Sequence, residues 1–69
     1  MNVVGVQLKR YRNKIGWSQQ RLSEEVGIPQ TTISDFENGR YLPDVIQAIS
    51  LAKIFGISVY NFIEEEQSA

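Results

Sequence analysis

Cysteine and histidine are both missing from this 69-residue chain. Without cysteine there is no disulfide framework and no thiolate metal site. Without histidine the commonest general base and the commonest transition-metal ligand are gone. No apolar run approaches the roughly 20 residues that a membrane-spanning helix needs. The stretch from Met1 to Val6 lacks the basic region and following apolar core of a secretory signal. The expected setting is therefore cytoplasmic. A domain of this size buries only about 60% of the surface its unfolded chain exposes, which leaves little room for a deep catalytic cleft. The carboxylates show no paired or metal-like arrangement, so neither an enzyme nor a cofactor is expected.

Net charge is small but unevenly placed. The net charge is −1 and the isoelectric point lies near 5.2. Residues 1–23 nevertheless hold Lys9, Arg10, Arg12, Lys14 and Arg21 and no acid, a net +5, while residues 24–69 carry a net −6. Such a molecule can turn one basic face toward a phosphate backbone. A solvated helix surface is the reading that charge alone favours.

Hydrophobic residues make up 42% of the chain, and their spacing predicts five helices and no strand. Val4, Leu8, Tyr11 and Ile15 form a stripe on a first helix from about Val3 to Ile15, stopped by Gly16. Ser18 is a plausible N-cap for a second helix whose inner face carries Leu22 and Val26 and which ends at Gly27. Pro29 suits the first position of a third helix with Ile33 and Phe36 on its buried side, closed by Asn38-Gly39. Pro43 opens a fourth, with Asp44 in its first turn, Ala48, Leu51, Ala52 and Phe55 inward and Gly56 at its end. Ser58 can cap a short fifth helix from Val59 to about Ile63. Residues 1–63 thus form one all-α orthogonal bundle, and residues 64–69 an acidic tail expected to fray.

The segment from Gln19 to Phe36 is the most informative. Counted from Gln19, apolar residues fall at the fourth, eighth, tenth, fifteenth and eighteenth places, namely Leu22, Val26, Ile28, Ile33 and Phe36. Gly27 is ninth and the small residue Ser23 is fifth. Two helices crossing near a right angle through a short turn need glycine at the bend, a small side chain at closest approach and apolar residues where they meet. The second helix then keeps an exposed outer face that fits a DNA major groove about 12 Å wide.

With these residues in place, the sequence resembles the Cro/cI-type, XRE-like helix-turn-helix repressors over about Gly5 to Ile63. The matching motifs are Leu8-Lys9 with Arg12; Gly16-x-Ser18-Gln19; Leu22-x-x-x-Val26-Gly27-Ile28; Ile33-Ser34; Glu37-Asn38-Gly39 with Pro43; and Ala52-x-x-Phe55-Gly56-Ile57-Ser58. The chain departs from the pattern at Arg21, where an acid often completes capping, at Ser23 in place of alanine, and at Pro29 in place of a capping serine.

The resemblance implies a lambda-repressor-like DNA-binding domain, bacterial or phage-encoded, that reads double-stranded DNA with helix 29–38. Gln30, Thr31, Ser34 and Asp35 would face bases. Gln30 suits adenine and Thr31 a thymine methyl, while Asp35 would accept from cytosine or exclude wrong sequences. Gln19 would grip a phosphate and brace the next helix, the alternative being an ordinary exposed glutamine. Asn38 and Arg40 would meet phosphates. Arg10, Lys14 and Arg21 are further phosphate candidates or plain surface charges. Arg12 and Glu37 would form an ion pair tying the first helix to the third. Trp17, Tyr11 and Phe62 are read as core in preference to base-stacking residues.

Homodimerisation on a two-fold operator is expected, through a patch of Ile46, Ile49, Ile54, Tyr60 and Ile63 or with these residues completing the core. A transcriptional repressor is the leading function. An antitoxin that also masks a toxin protein, and a relative that binds protein and no DNA, are the rivals; Gln19 and the polar third helix weigh against the last.

Overall fold

The computed structural model describes residues 3–63, and these form five α-helices with no strand among them. The helices are α1 (Val3–Lys14), α2 (Gln19–Val26), α3 (Gln30–Glu37), α4 (Val45–Phe55) and α5 (Tyr60–Ile63). Helix α1 packs on α3 and α5, and α2 packs on α3 and α4. The expected tail, 64–69, lies outside the described residues.

Local chemistry sets the ends of the helices. The Ser18 hydroxyl accepts from the Arg21 backbone N–H at 3.0 Å, satisfying one of the amides left free at the start of α2. Asp44 and Gln47 cap α4 reciprocally, each side chain accepting from the other's backbone N–H at 2.8 and 2.9 Å. Gly27 ends α2 in the left-handed region at φ 74°, and its N–H reaches the Ser23 carbonyl at 2.9 Å. A side chain at this position would be strained, so glycine is what lets the chain turn tightly into α3.

The core unites Leu8, Leu22, Ile28, Ile33, Phe36, Leu51, Ala52 and Phe62. Each of the leucine, isoleucine and phenylalanine side chains removed from water contributes about 1.5–3 kcal/mol. Beside it Tyr11 stacks on Phe55 at 5.9 Å between ring centroids, and Phe62 meets both rings edge-on. Phe62 is thus a core residue, and Tyr11, Phe55 and half-buried Trp17 pack against the core.

Four boundaries and two burials differ from the sequence expectation. Helix α4 begins at Val45 with Asp44 as its N-cap, so Pro43 precedes the helix and Asp44 does not lie in its first turn. Helix α1 stops at Lys14, and Ile15 sits in the following turn, 43% exposed. The chain bends there so that the Trp17 N–H reaches the Arg12 carbonyl at 3.1 Å, and Trp17 packs inward where Ile15 does not. Pro29 is the N-cap of α3, with ψ 144°; its extended backbone precedes the helix, which runs over 30–37 and not 29–38. Helix α5 begins at Tyr60, because the Ser58 hydroxyl accepts from the Tyr60 N–H and holds Val59 in the entry turn. Ile54 is partly buried against the core, which removes it from the expected surface patch.

Candidate nucleic-acid interface

The α2–α3 pair is held at its base by one carboxylate. Arg12 Nε donates to Glu37 Oε2 at 2.7 Å, and Arg12 Nη2 donates to Glu37 Oε1 at 3.0 Å. The third guanidinium nitrogen, Nη1, donates to the Trp17 carbonyl at 2.7 Å. Both side chains are nearly sealed from water, 10% and 2% exposed. Gln19 Nε2 then donates to the same Glu37 Oε1 at 3.0 Å. The last residue of α3 thereby fixes the first residue of α2, and α1 is tied to both.

Glycine has a second role that the sequence pattern did not reveal. Gly5 lies buried inside α1, where a Cβ would overlap the Phe36 carbonyl oxygen and come within 3.0 Å of the Glu37 carbonyl oxygen. The backbones of α1 and α3 approach too closely there for any side chain. A glycine in a helix interior is a cue to look for such an approach, although it does not name the partner.

Ser23, the unusual residue at the bend, donates its hydroxyl to the Ile28 carbonyl. That bond closes the α2–α3 turn on itself. The departure from alanine therefore supplies a partner for a backbone oxygen beside the core.

Helix α3 presents its outer face as the spacing predicted. At 3.6 residues per turn, Gln30, Thr31, Ser34, Asp35 and Asn38 spread over roughly 140° of arc, opposite Ile33 and Phe36, which are buried. Gln30, Thr31 and Asn38 are exposed, while Ser34 and Asp35 are half-buried. Two bonds cross the trailing half of this face. Asn38 Nδ2 donates to Ser34 Oγ at 3.2 Å, and Arg40 Nη1 donates to Asp35 Oδ1 at 3.1 Å.

The basic residues sort into distinct positions. Arg21 lies over the Trp17 ring, 4.7 Å from its centroid, and its Nε donates to Glu25 at 2.9 Å. Its guanidinium is thus engaged within the protein by a cation–π contact and an ion pair. Lys14 is exposed at the last turn of α1. Arg10 is exposed too and borders a shallow groove with Val6, Lys9, Asn13 and Glu37. Among the described residues there is no group of histidine, cysteine or carboxylate side chains able to hold a metal ion, and no helix is long and apolar enough to cross a membrane.

A family model described as helix-turn-helix matches residues 8–62. The chain belongs to this helix-turn-helix family. An uncharacterized HTH-type transcriptional regulator of Bacillus subtilis, YgzD, is 33% identical over 61 residues, covering 86% of this chain and 92% of that protein. Antitoxin HipB of Escherichia coli O6:H1 is 40% identical over 47 residues, 68% of this chain and 47% of that protein. Among solved structures, SinR, a master regulator for biofilm formation crystallised in complex with DNA, superposes with a TM-score of 0.84 at 22% identity, over 88% of this chain and 98% of that one. The Neisseria hypothetical transcription factor NHTF reaches 0.89 at 24% identity, over 96% of this chain and 76% of that one. At such identities the structures establish the shared fold. In the helix-turn-helix unit of this chain, α2 and α3 are the two motif helices and Gly27 is the glycine between them.

Proposed function

We propose that this helix-turn-helix chain is a sequence-specific regulator of transcription, acting as a repressor, that binds double-stranded DNA with α3 in the major groove. The observation that carries the reading is the outer face of α3. Five polar residues lie on the side away from the core there, and Gln19 is held by Glu37, the last residue of the same helix. A rigid helix with a polar, groove-sized face suits base-edge recognition, for which side-chain amides, hydroxyls and carboxylates are the reading groups. Family membership and the YgzD relative support the same reading.

Gln30, Thr31, Ser34 and Asp35 are the base-reading residues in this proposal. Gln19, Asn38 and Arg40 contact phosphates, joined by Arg10 and Lys14 from α1. Arg21, stacked on Trp17, is the weakest of the phosphate candidates. The protein acts in the cytoplasm as a homodimer on a two-fold site, without a cofactor and without a chemical step. Ile46, Ile49, Tyr60 and Ile63, each 42–77% exposed, are the apolar residues available to the second copy. A second reading, an antitoxin that binds DNA and masks a toxin, draws on the similarity to HipB; this chain spans about half the length of that protein.

Selection of bound duplexes from a random pool tests the proposal. The expected result is one enriched motif with two-fold symmetry. Recovery of no motif, with no measurable affinity for any duplex, overturns it. Co-purification of a stoichiometric protein partner encoded beside this chain, together with the DNA motif, would favour the antitoxin.

A further inference from the structure

The outer face of α3 contains one acid, Asp35, which is tied to Arg40 twice. The Asp35 carboxylate accepts from Arg40 Nη1 at 3.1 Å, and the Asp35 carbonyl accepts from the Arg40 backbone N–H at 2.9 Å. Arg40 is 69% exposed at its side chain and Asp35 27%. The neighbouring Asn38–Ser34 bond lies alongside. Arg40, just past the end of the reading helix, is thus folded back over that helix, its charge matched by the acid on the reading face.

We propose that Asp35 is a specificity-determining residue that acts by holding Arg40. This inference rests on the DNA-binding reading above and adds a mechanism of discrimination to it. For Arg40 to reach a phosphate, the pair must open. An ion pair this exposed opens easily in water, so it does not block binding. Opening it, however, leaves a carboxylate unpaired among phosphates, where like charges repel. Only a base that donates a hydrogen bond to the freed carboxylate offsets that repulsion.

The major-groove edges decide which base can do so. Guanine O6 and N7 and thymine O4 are acceptors, and each would face the carboxylate lone pair to lone pair. Adenine's amino group is flanked by two acceptors, its own N7 and the O4 of the paired thymine, whereas cytosine's is flanked by one, the O6 of the paired guanine. Cytosine is therefore the base that releases Arg40 at least cost. On other sequences Arg40 stays with Asp35 or leaves behind an unpaired anion, and affinity is low either way. Discrimination arises from a penalty on wrong sequences as well as from contacts to the right one.

The test is a double-mutant cycle of Asp35→Asn and Arg40→Ala in the full chain. The probes are the duplex that wild type selects, the same duplex with each cytosine of the half-site replaced in turn, and a scrambled duplex, each titrated across a salt series. Asparagine keeps the size of the side chain and removes its charge, so the fold is expected to survive; unchanged melting temperatures check this.

Asp35→Asn should bind the scrambled duplex severalfold more tightly than wild type. Its log–log salt slope should steepen by roughly one unit, as one more cation meets a phosphate. Preference should be lost at one cytosine position. With Arg40→Ala present, the same substitution should change the scrambled affinity clearly less. Unchanged scrambled affinity and slope for Asp35→Asn overturn the inference, as does an equal effect with and without Arg40. If wild type binds no duplex at all, the DNA-binding reading itself fails; if wild type selects a site but the cycle is additive, only this inference fails.

Discussion

Arg12 and Glu37, 25 residues apart in sequence, meet through two parallel hydrogen bonds of 2.7 and 3.0 Å. The geometry is the fork-to-carboxylate arrangement that makes arginine pairs strong. Because both side chains are withdrawn from water, the pair costs desolvation energy, and its value lies in what happens when half of it is lost. Arg12→Ala would strand the Glu37 carboxylate in the base of the α2–α3 unit.

Removing one partner of a buried pair costs about 3–5 kcal/mol. A domain of this length has a total stability of roughly 3–10 kcal/mol. Arg12→Ala should therefore leave the chain largely unfolded near body temperature, seen as loss of the cooperative melting transition by circular dichroism. Glu37→Gln, which keeps the shape and some hydrogen bonding, should cost less. An Arg12→Ala variant melting within a degree or two of wild type would contradict the buried geometry.

Gly5→Ala tests the close approach of α1 to α3. Alanine is the better helix former by about 1 kcal/mol, so an open site would be stabilised. Here the new methyl would meet the Phe36 and Glu37 carbonyl oxygens, and overpacking against backbone costs about 1–3 kcal/mol or more. Chemical denaturation should show a net loss of stability. A gain would mean that the two helices separate freely.

Gln30→Ala removes an exposed amide at the leading end of α3. On the selected site it should cost roughly 1–3 kcal/mol, with discrimination lost at one base position. Binding to scrambled DNA should barely change. Equal affinity and an unchanged base preference would move the reading face elsewhere.

Arg21→Ala separates a surface cation from a phosphate contact. Its exposed pair with Glu25 opens easily, but the guanidinium also rests over the Trp17 ring, a contact with no counterpart at Arg40, so the salt slope of DNA binding should stay the same. A slope lowered by roughly one unit, the signature of a lost phosphate contact, would restore Arg21 to the interface. The Trp17 contact should instead appear as a small stability loss, on the order of 0.5–1 kcal/mol for an exposed cation–π pair.

Ile46→Lys probes the second copy. Ile46 is 77% exposed, so the substitution should leave melting unchanged. Sedimentation should show wild type associating as concentration rises and the variant remaining monomeric. A wild type that is monomeric throughout, and that occupies each DNA site as a single copy, would remove the apolar patch from consideration.

What the amino-acid order determined by itself was everything that depends on neighbours along the chain. Helix periodicity marked Leu8, Leu22, Ile33, Phe36 and Leu51 for burial, because residues three and four apart share a face. Ser18 and Gly27 mark helix ends because capping and the left-handed turn are local backbone requirements. The polar arc of α3 followed from the same periodicity, and the motif spacing led to the family. Tertiary packing decided the rest. Whether Ile54 faces the core and Ile15 the solvent depends on how the chain bends after Lys14 and on which helix lies opposite, and neither is encoded in periodicity. The need for Gly5 arises from backbone atoms of Phe36 and Glu37 more than 30 residues away, and the engagement of Arg21 from a ring that only the folded turn places beneath it. Asp35 and Arg40 are near neighbours in sequence, yet their pairing required α3 to end where it does, with the chain folding back past Gly39. The distinction is physical: propensity and capping act over a few residues, whereas close approach and charge pairing depend on where folding brings distant or turn-separated atoms together.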